Sequence, residues 1–119
     1  MRILYLPLDS RPCNRLWPNR LLSGTAHEIV APPAEAMDCF RRPADAEKLR
    51  AFILRELPKA DAAAVSSEML LYGGILASRT PETSFETALS RLEILKDIAR
   101  RVPVHAFGLI MRSSVSAFC

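Results

Sequence analysis

Two polar stretches of this 119-residue chain hold most of the side chains able to do chemistry: Asp9-Ser10-Arg11-Pro12-Cys13-Asn14 and Ser67-Glu68-Met69-Leu70-Leu71-Tyr72-Gly73-Gly74. Asp9 and Glu68 are the candidate catalytic pair. Two carboxylates facing each other serve as general acid and base or hold a metal, and their separation decides between direct attack and activation of a water. The plainer reading has Asp9 capping its own turn and Glu68 pairing with an arginine. Arg11, Arg79 and Arg112 offer planar forks that grip a carboxylate or phosphate through two N–H groups, or else serve as counter-ions to nearby acids. Asn14 orients a substrate hydroxyl or caps a short helix. Tyr72 presents a ring for stacking, and Gly73-Gly74 admits positive backbone angles or the close approach of a ligand.

Several common chemistries lack their signatures. Neither Gly-x-x-x-x-Gly-Lys-Ser/Thr nor Gly-x-Gly-x-x-Gly occurs, so no standard nucleotide loop is present and no cofactor is named. Ser66, Ser67 and Ser78 lack the Gly-x-Ser-x-Gly elbow of a serine hydrolase. His27 and His105 stand far apart without a ligand pattern and read as structural or surface residues. No metal site is assigned. Cys13, Cys39 and Cys119 are widely spaced with no Cys-x-x-Cys, which excludes a disulfide framework and a zinc ribbon and points to a reducing cytoplasm. Cys13 reads chiefly as a small buried thiol, and Trp17 as core or rim packing.

The elements that must position these residues alternate. Arg2 to Leu8 is an apolar run of the buried-strand type, followed by a loop through Asn14 and a short helix from about Arg15 to Leu22. His27 to Ala31 is a second strand, closed by Pro32-Pro33. After an irregular stretch carrying Asp38, Arg41 and Arg42, Asp45 caps a helix with Leu49, Phe52, Ile53 and Leu57 on one face. Ala60 to Ser66 is the third strand, and Ser67 to Gly74 reads as a long turn. Thr83-Ser84-Phe85-Glu86 spells a capping box for a helix whose packed face is Phe85, Leu89, Leu92, Leu95 and Ala99. Val104 to Met111 is the fourth strand and delivers Arg112. Strand and helix in turn predict an α/β fold with a mostly parallel sheet of about four strands.

Composition narrows the class. Half the residues are hydrophobic and 24% charged, as in ordinary globular domains. The length suits a single domain spanning 1–119. No apolar run approaches the roughly 18 residues needed for a membrane span. The net charge of +3 is mild and scattered, so no nucleic-acid stripe exists, although 13 of the 16 cations are arginine. Four strands and three helices leave one face of a parallel sheet poorly covered. The expectation is therefore that 1–119 is the front part of a larger α/β domain, or that the sheet is covered by the remainder of a longer chain or by a homo-oligomer.

Leu4-Tyr5-Leu6-Pro7-Leu8-Asp9-Ser10-Arg11-Pro12-Cys13-Asn14, then Ser67 to Gly74 continuing as Ile75-Leu76-Ala77-Ser78-Arg79, and finally Ile110-Met111-Arg112, resemble the bacterial family called domain of unknown function 4127. The resemblance runs along the whole chain and implies that members are several times longer. Its signature positions map onto Asp9, Arg11, Pro12 and Asn14, onto Tyr72, Gly73, Gly74, Ser78 and Arg79, and onto Arg112. Members often carry Asp at the position of Glu68 and Glu at that of Ser10. A carboxylate mechanism using residue 10 is therefore closed to this chain. The family brings no activity with it.

Because polar loops follow three of the four inferred strands, the functional expectation is hydrolysis or related acid/base chemistry on a small polar or anionic substrate, such as a sugar derivative. Asp9 and Glu68 would do the chemistry, and Arg11, Asn14, Tyr72, Gly73, Gly74, Ser78, Arg79 and Arg112 would bind the substrate. The alternatives are a ligand-binding module without catalysis and a structural or interaction segment.

Overall fold

Short runs of apolar residues broken by prolines and acidic caps leave little choice of element type, and the chain alternates strand and helix throughout. The structure is a computed structural model describing residues 1–79 and 83–109. Its strands are β1 (Arg2–Leu6), β2 (Glu28–Val30), β3 (Ala62–Ser66) and β4 (Val104–Phe107), all parallel in the order β2-β1-β3-β4. The helices are α1 (Pro12–Arg15), α2 (Trp17–Leu21), α3 (Ala46–Glu56), α4 (Ser67–Tyr72) and α5 (Phe85–Ala99). The predicted α/β architecture with a parallel sheet is what the chain adopts.

The strand register builds the core. Leu4 lies opposite Ala63, and Leu6 opposite Val65, so these four alternate residues share one face and all are buried. Onto that face pack Leu49, Phe52 and Ile53 of α3, Met69 and Leu70 of α4, and Ile98 of α5. The connection carrying α1 and α2 runs from β1 out to β2, opposite to the direction of the β2–β3 and β3–β4 connections. With right-handed crossovers it must pass over the other face. The hydroxyl of Tyr5, on that face, accordingly donates to the carbonyl of Asn14 in α1 at 2.7 Å. Ile3, Ala62 and Ala64 of the same face stay half-buried.

The amino ends of the strands are tied by charge. Arg2 donates from Nη1 to Glu28 at 3.1 Å and from Nη2 to Glu56 at 2.9 Å, while its backbone N–H donates to Asp61 at 2.7 Å. The Arg2 hydrogen bond draws the Glu56 carboxyl below its usual range against the opposing effect of burial. One side chain thus ties β1 to β2 and to α3.

Five local expectations need correction. The helix expected from Arg15 begins earlier, at Pro12, and is two pieces. Proline suits the first turn of a helix but gives no N–H to continue an earlier one, so Pro12 opens α1 and Pro18 sits in the first turn of α2. The turn expected at Ser67–Gly74 is the helix α4: Ser66 Oγ accepts the Met69 N–H, and Gly73 closes the helix in the left-handed region with φ +87°. Cys13 and Trp17 are exposed, because α1 and α2 are too short to present a buried face. The cap of α5 is Ser84, one residue later than the capping box suggested.

The fifth error also concerns α5, and it has a physical cause. The helix carries two apolar stripes, and the sheet takes the one with Ile94, Leu95 and Ile98. Arg91 turns inward and donates to the Leu71 carbonyl at the end of α4 at 2.6 Å, which fixes that rotation. Phe85, Leu89 and Leu92 are left 75%, 48% and 37% exposed, and Ala99 is exposed too. Ile98→Ala is therefore expected to cost about 2–5 kcal/mol, whereas Leu89→Ala stays within about 0.5 kcal/mol of the native protein. Urea denaturation of the two variants checks this, and equal losses would contradict the assigned rotation.

Candidate functional site

The strand order determines where a site forms. β1 and β3 are neighbours, but the chain leaves β1 towards β2 and leaves β3 towards β4, so the two connections depart over opposite faces. The carboxyl ends of β1 and β3 are consequently the switch point of the strand order, where open α/β sheets form the crevice that binds ligands. This order is shared by the first four strands of flavodoxin-like sheets. Asp9 follows β1 and Glu68 follows β3, so both leave the sheet at that end.

Asp9 is 2% exposed and fully engaged. Its Oδ1 accepts the Arg11 backbone N–H at 3.0 Å and the Asn14 side-chain amide at 2.7 Å, while Oδ2 accepts Arg11 Nε at 2.8 Å. The loop needs this arrangement. Pro12 keeps Arg11 extended, so the Arg11 N–H has no helical partner and turns back to the aspartate two residues earlier. Asn14 is drawn in from the first turn of α1. Arg11 spends Nε on Asp9 and leaves a side chain 62% exposed to solvent.

A second carboxylate, which the sequence did not single out as a site residue, meets this loop. Asp38 Oδ1 accepts the Ser10 backbone N–H at 2.8 Å. Gly74 lies against the same carboxyl group: at φ +132° it has a conformation that side chains rarely adopt, and a Cβ there would stand 3.1 Å from Asp38 Oδ2. The loops after β1, β2 and α4 therefore meet at Asp38. Burial raises the Asp38 carboxyl above the usual range, hydrogen bonding from Ser10 opposes this, and the negative charge of Asp9 adds to the rise. Tyr5 is raised as well, by burial first and then by Asp9 and Cys13, so its phenol remains a donor to Asn14.

Glu68 has other partners. It is 4% exposed; Oε2 accepts the hydroxyls of Ser66 and Ser67, each at 3.2 Å, and Oε1 accepts the Leu109 backbone N–H at 2.6 Å. It ties the end of β4 to the end of β3. Gly108 makes room for this, since a Cβ there would collide with Ser67 Oγ. The partners are serines and a backbone amide rather than the arginine expected of a simple ion pair. No hydrogen bond or shared partner joins Asp9 to Glu68 among the described residues.

Of the remaining candidates, Asn14 and Arg11 converge on Asp9, and Gly74 on Asp38. Gly73 ends α4 and its carbonyl accepts the Ala44 N–H at 2.9 Å. Tyr72 is the half-buried last residue of α4. Ser78 and Arg79 lie in the short 3-10 turn Ala77–Arg79, where the Ser78 hydroxyl donates to the Ile75 carbonyl at 2.6 Å and Arg79 is exposed. Arg112 lies outside the described residues, as do the last two residues of the fourth strand as read from sequence. Among the described residues no group of three or more His, Cys, Asp or Glu gathers as a metal site.

A model of a protein family of unknown function, DUF4127, matches residues 3–118. The chain belongs to the DUF4127 family. No curated protein and no solved structure gives a significant match. The family assignment brings no chemistry with it, so the residues themselves must supply the argument. Asp38 and Gly108 are the positions that sequence reasoning missed. Asp38 sat in a stretch with no periodicity, and Gly108 looked like strand interior.

Two outcomes test this geometry. Asp38 should titrate above the ordinary aspartate range of about 3.9, and Asp9→Asn should lower that midpoint by removing the neighbouring charge. Carboxyl-carbon NMR reads both shifts, and an unmoved Asp38 would separate the two groups. The sign for stability follows: a carboxyl raised in the fold contributes stability at low pH that is lost as pH rises through its folded value. Gly74→Ala should cost about 1–3 kcal/mol, because it forces a side chain into the positive-φ region and against Asp38.

Proposed function

We propose that the crevice at the carboxyl ends of β1 and β3 is the active site of an enzyme performing hydrolytic or related acid/base chemistry on a small anionic or polar substrate. One observation carries the reading: the half-buried Asp38 carboxyl, raised by burial and by Asp9, accepts the Ser10 N–H of the loop in which the next residue, Arg11, is held by the buried Asp9 carboxylate. A carboxyl raised above its usual range is better suited to give and take protons, and enzymes produce such groups by burial and by juxtaposed charge. In this reading Asp38 transfers the proton. Asp9 acts as a positioning residue, since three donors already occupy it, and it aims Arg11 at the anionic group of the substrate. Asn14 lies within reach of the same space. Glu68 fixes the end of β4 and so shapes the far wall.

The engagement of Asp9 by three donors also favours a second reading, a binding module that captures an anion without converting it. Exposed Cys13 and Cys39, both free thiols, fit the reducing cytoplasm of a bacterium. No helix among the described residues is long and apolar enough to cross a membrane.

The test is a panel of p-nitrophenyl phosphates, esters and glycosides. Turnover of at least one is expected, with Asp38→Asn lowering kcat about 100-fold or more and Arg11→Ala acting mainly on KM. Saturable binding of a substrate with no product would establish the binding module instead. Turnover unchanged by Asp38→Asn would remove Asp38 from the chemistry.

A further inference from the structure

Phe40 combines two properties that each work against stability. Among the described residues it is the one non-glycine with positive φ, at 52°, and it is 86% exposed, more than any other large hydrophobic side chain. For a bulky side chain the left-handed region is an outlier, costly through contact of Cβ with the following carbonyl. A buried ring could offset such a cost by packing, but this ring has almost no packing to offer. Strain of this kind persists where the surroundings hold it, and it gathers at ligand clamps and active sites.

The surroundings do hold it. Cys39 and Arg42 exchange two backbone hydrogen bonds, at 3.0 and 2.9 Å, closing a tight turn with Phe40 and Arg41 at its tip. On one side of the turn Asp38 is fixed to the Ser10 N–H and lies against Gly74. On the other side Pro43 and Ala44 press on Gly73, where a Cβ would come within 3.0 Å of Pro43 Cβ and 2.8 Å of the Ala44 nitrogen. Both feet of the turn therefore stand on the crevice loops. One residue, Cys39, separates Phe40 from Asp38, so the two Cα atoms are at most about 7.6 Å apart. Arg41 and Arg42 are exposed beside the ring, as is Arg11 in the loop that Asp38 binds.

We propose that the Cys39–Arg42 turn is the recognition element of the strand-end site, with Phe40 packing on an apolar or ring face of an anionic substrate whose charged group is held by Arg11. The proposal rests on the anion-binding part of the functional reading above and adds the substrate class: a small anion with a planar or apolar body. An aromatic face brings large contact area at little conformational cost, which suits a rigid turn tip.

The experiment compares inorganic phosphate with phenyl phosphate, by calorimetry, on the native protein and on Phe40→Asn. Asparagine tolerates the left-handed region, so the variant keeps the turn. The native protein should bind phenyl phosphate about 2- to 10-fold more tightly than inorganic phosphate, the range that one aromatic contact supplies. Phe40→Asn should abolish that preference, leave the affinity for inorganic phosphate in place, and unfold at or above the native midpoint. A preference that survives in Phe40→Asn overturns the role of the ring while leaving the anion site standing. A lowered unfolding midpoint overturns it too, since the ring would then be structural. Failure of the native protein to bind either probe overturns the anion site and this proposal with it; where the native protein binds, Arg11→Ala should lose both probes equally, and phosphate binding that survives Arg11→Ala overturns the placement of the charged group on Arg11.

Discussion

Where a parallel strand ends, the backbone N–H groups of the following loop leave the ladder and still need acceptors. In this protein carboxylates supply them. Asp9 takes the Arg11 N–H and Asp38 the Ser10 N–H, both in the loop after β1, and Glu68 takes the Leu109 N–H after β4. Loops of this length have no regular pattern of their own, so their conformations depend on these acceptors. The same interactions draw three carboxylates into partly or fully buried positions, where water no longer levels their properties.

The two ends of the sheet use charge differently. At the amino end Arg2 meets Glu28 and Glu56 in opposite-sign pairs, which links strands and helix with no group left to do chemistry. At the carboxyl end Asp9 pairs with Arg11, but the acids there also bind backbone amides and neighbouring hydroxyls, and two of them feel each other's charge. The amino end serves the fold, and in the proposed function the carboxyl end, where Asp38 is bound by a backbone amide rather than by a cation, is where reactivity arises. The topology enforces this division, because only at the carboxyl end do neighbouring connections part over opposite faces.

Most of the architecture was legible in the sequence because strand and helix alternate with clear stops at Pro32-Pro33, Pro58 and Pro103. Asp45 capped α3 as its position suggested, accepting the Glu47 and Lys48 N–H groups. Failures fell where two local patterns competed. Ser67–Tyr72 has a serine cap before it and a glycine after it, yet its polar and glycine-rich flanks imitate a loop. Helix α5 has two apolar stripes, and periodicity cannot say which one a sheet will take; a single inward arginine bond did. For the site, Asp9, Arg11 and Asn14 were legible because they are close in sequence. Asp38 was not, because its partner lies 28 residues away and only the fold brings them together.

The same need for acceptors also explains how the irregular stretch between β2 and α3 is held. Asp38 binds back to the β1 loop, the Ala44 N–H binds the Gly73 carbonyl at the end of α4, and the Asp45 N–H closes on the Ala36 carbonyl of the same stretch at 3.1 Å, so the stretch is held by two other elements and by itself. Gly73 and Gly74 make this possible, since side chains there would occupy the space of Pro43, Ala44 and Asp38. The pair of glycines thus acts less as a flexible joint than as a seat for a neighbouring loop. A seat of that kind fixes the Asp38 carboxyl and the Phe40 turn relative to Asp9 without a helix or strand to carry them. An arrangement held in this way survives only while each acceptor keeps its donor, which ties the electrostatics of the crevice directly to its shape.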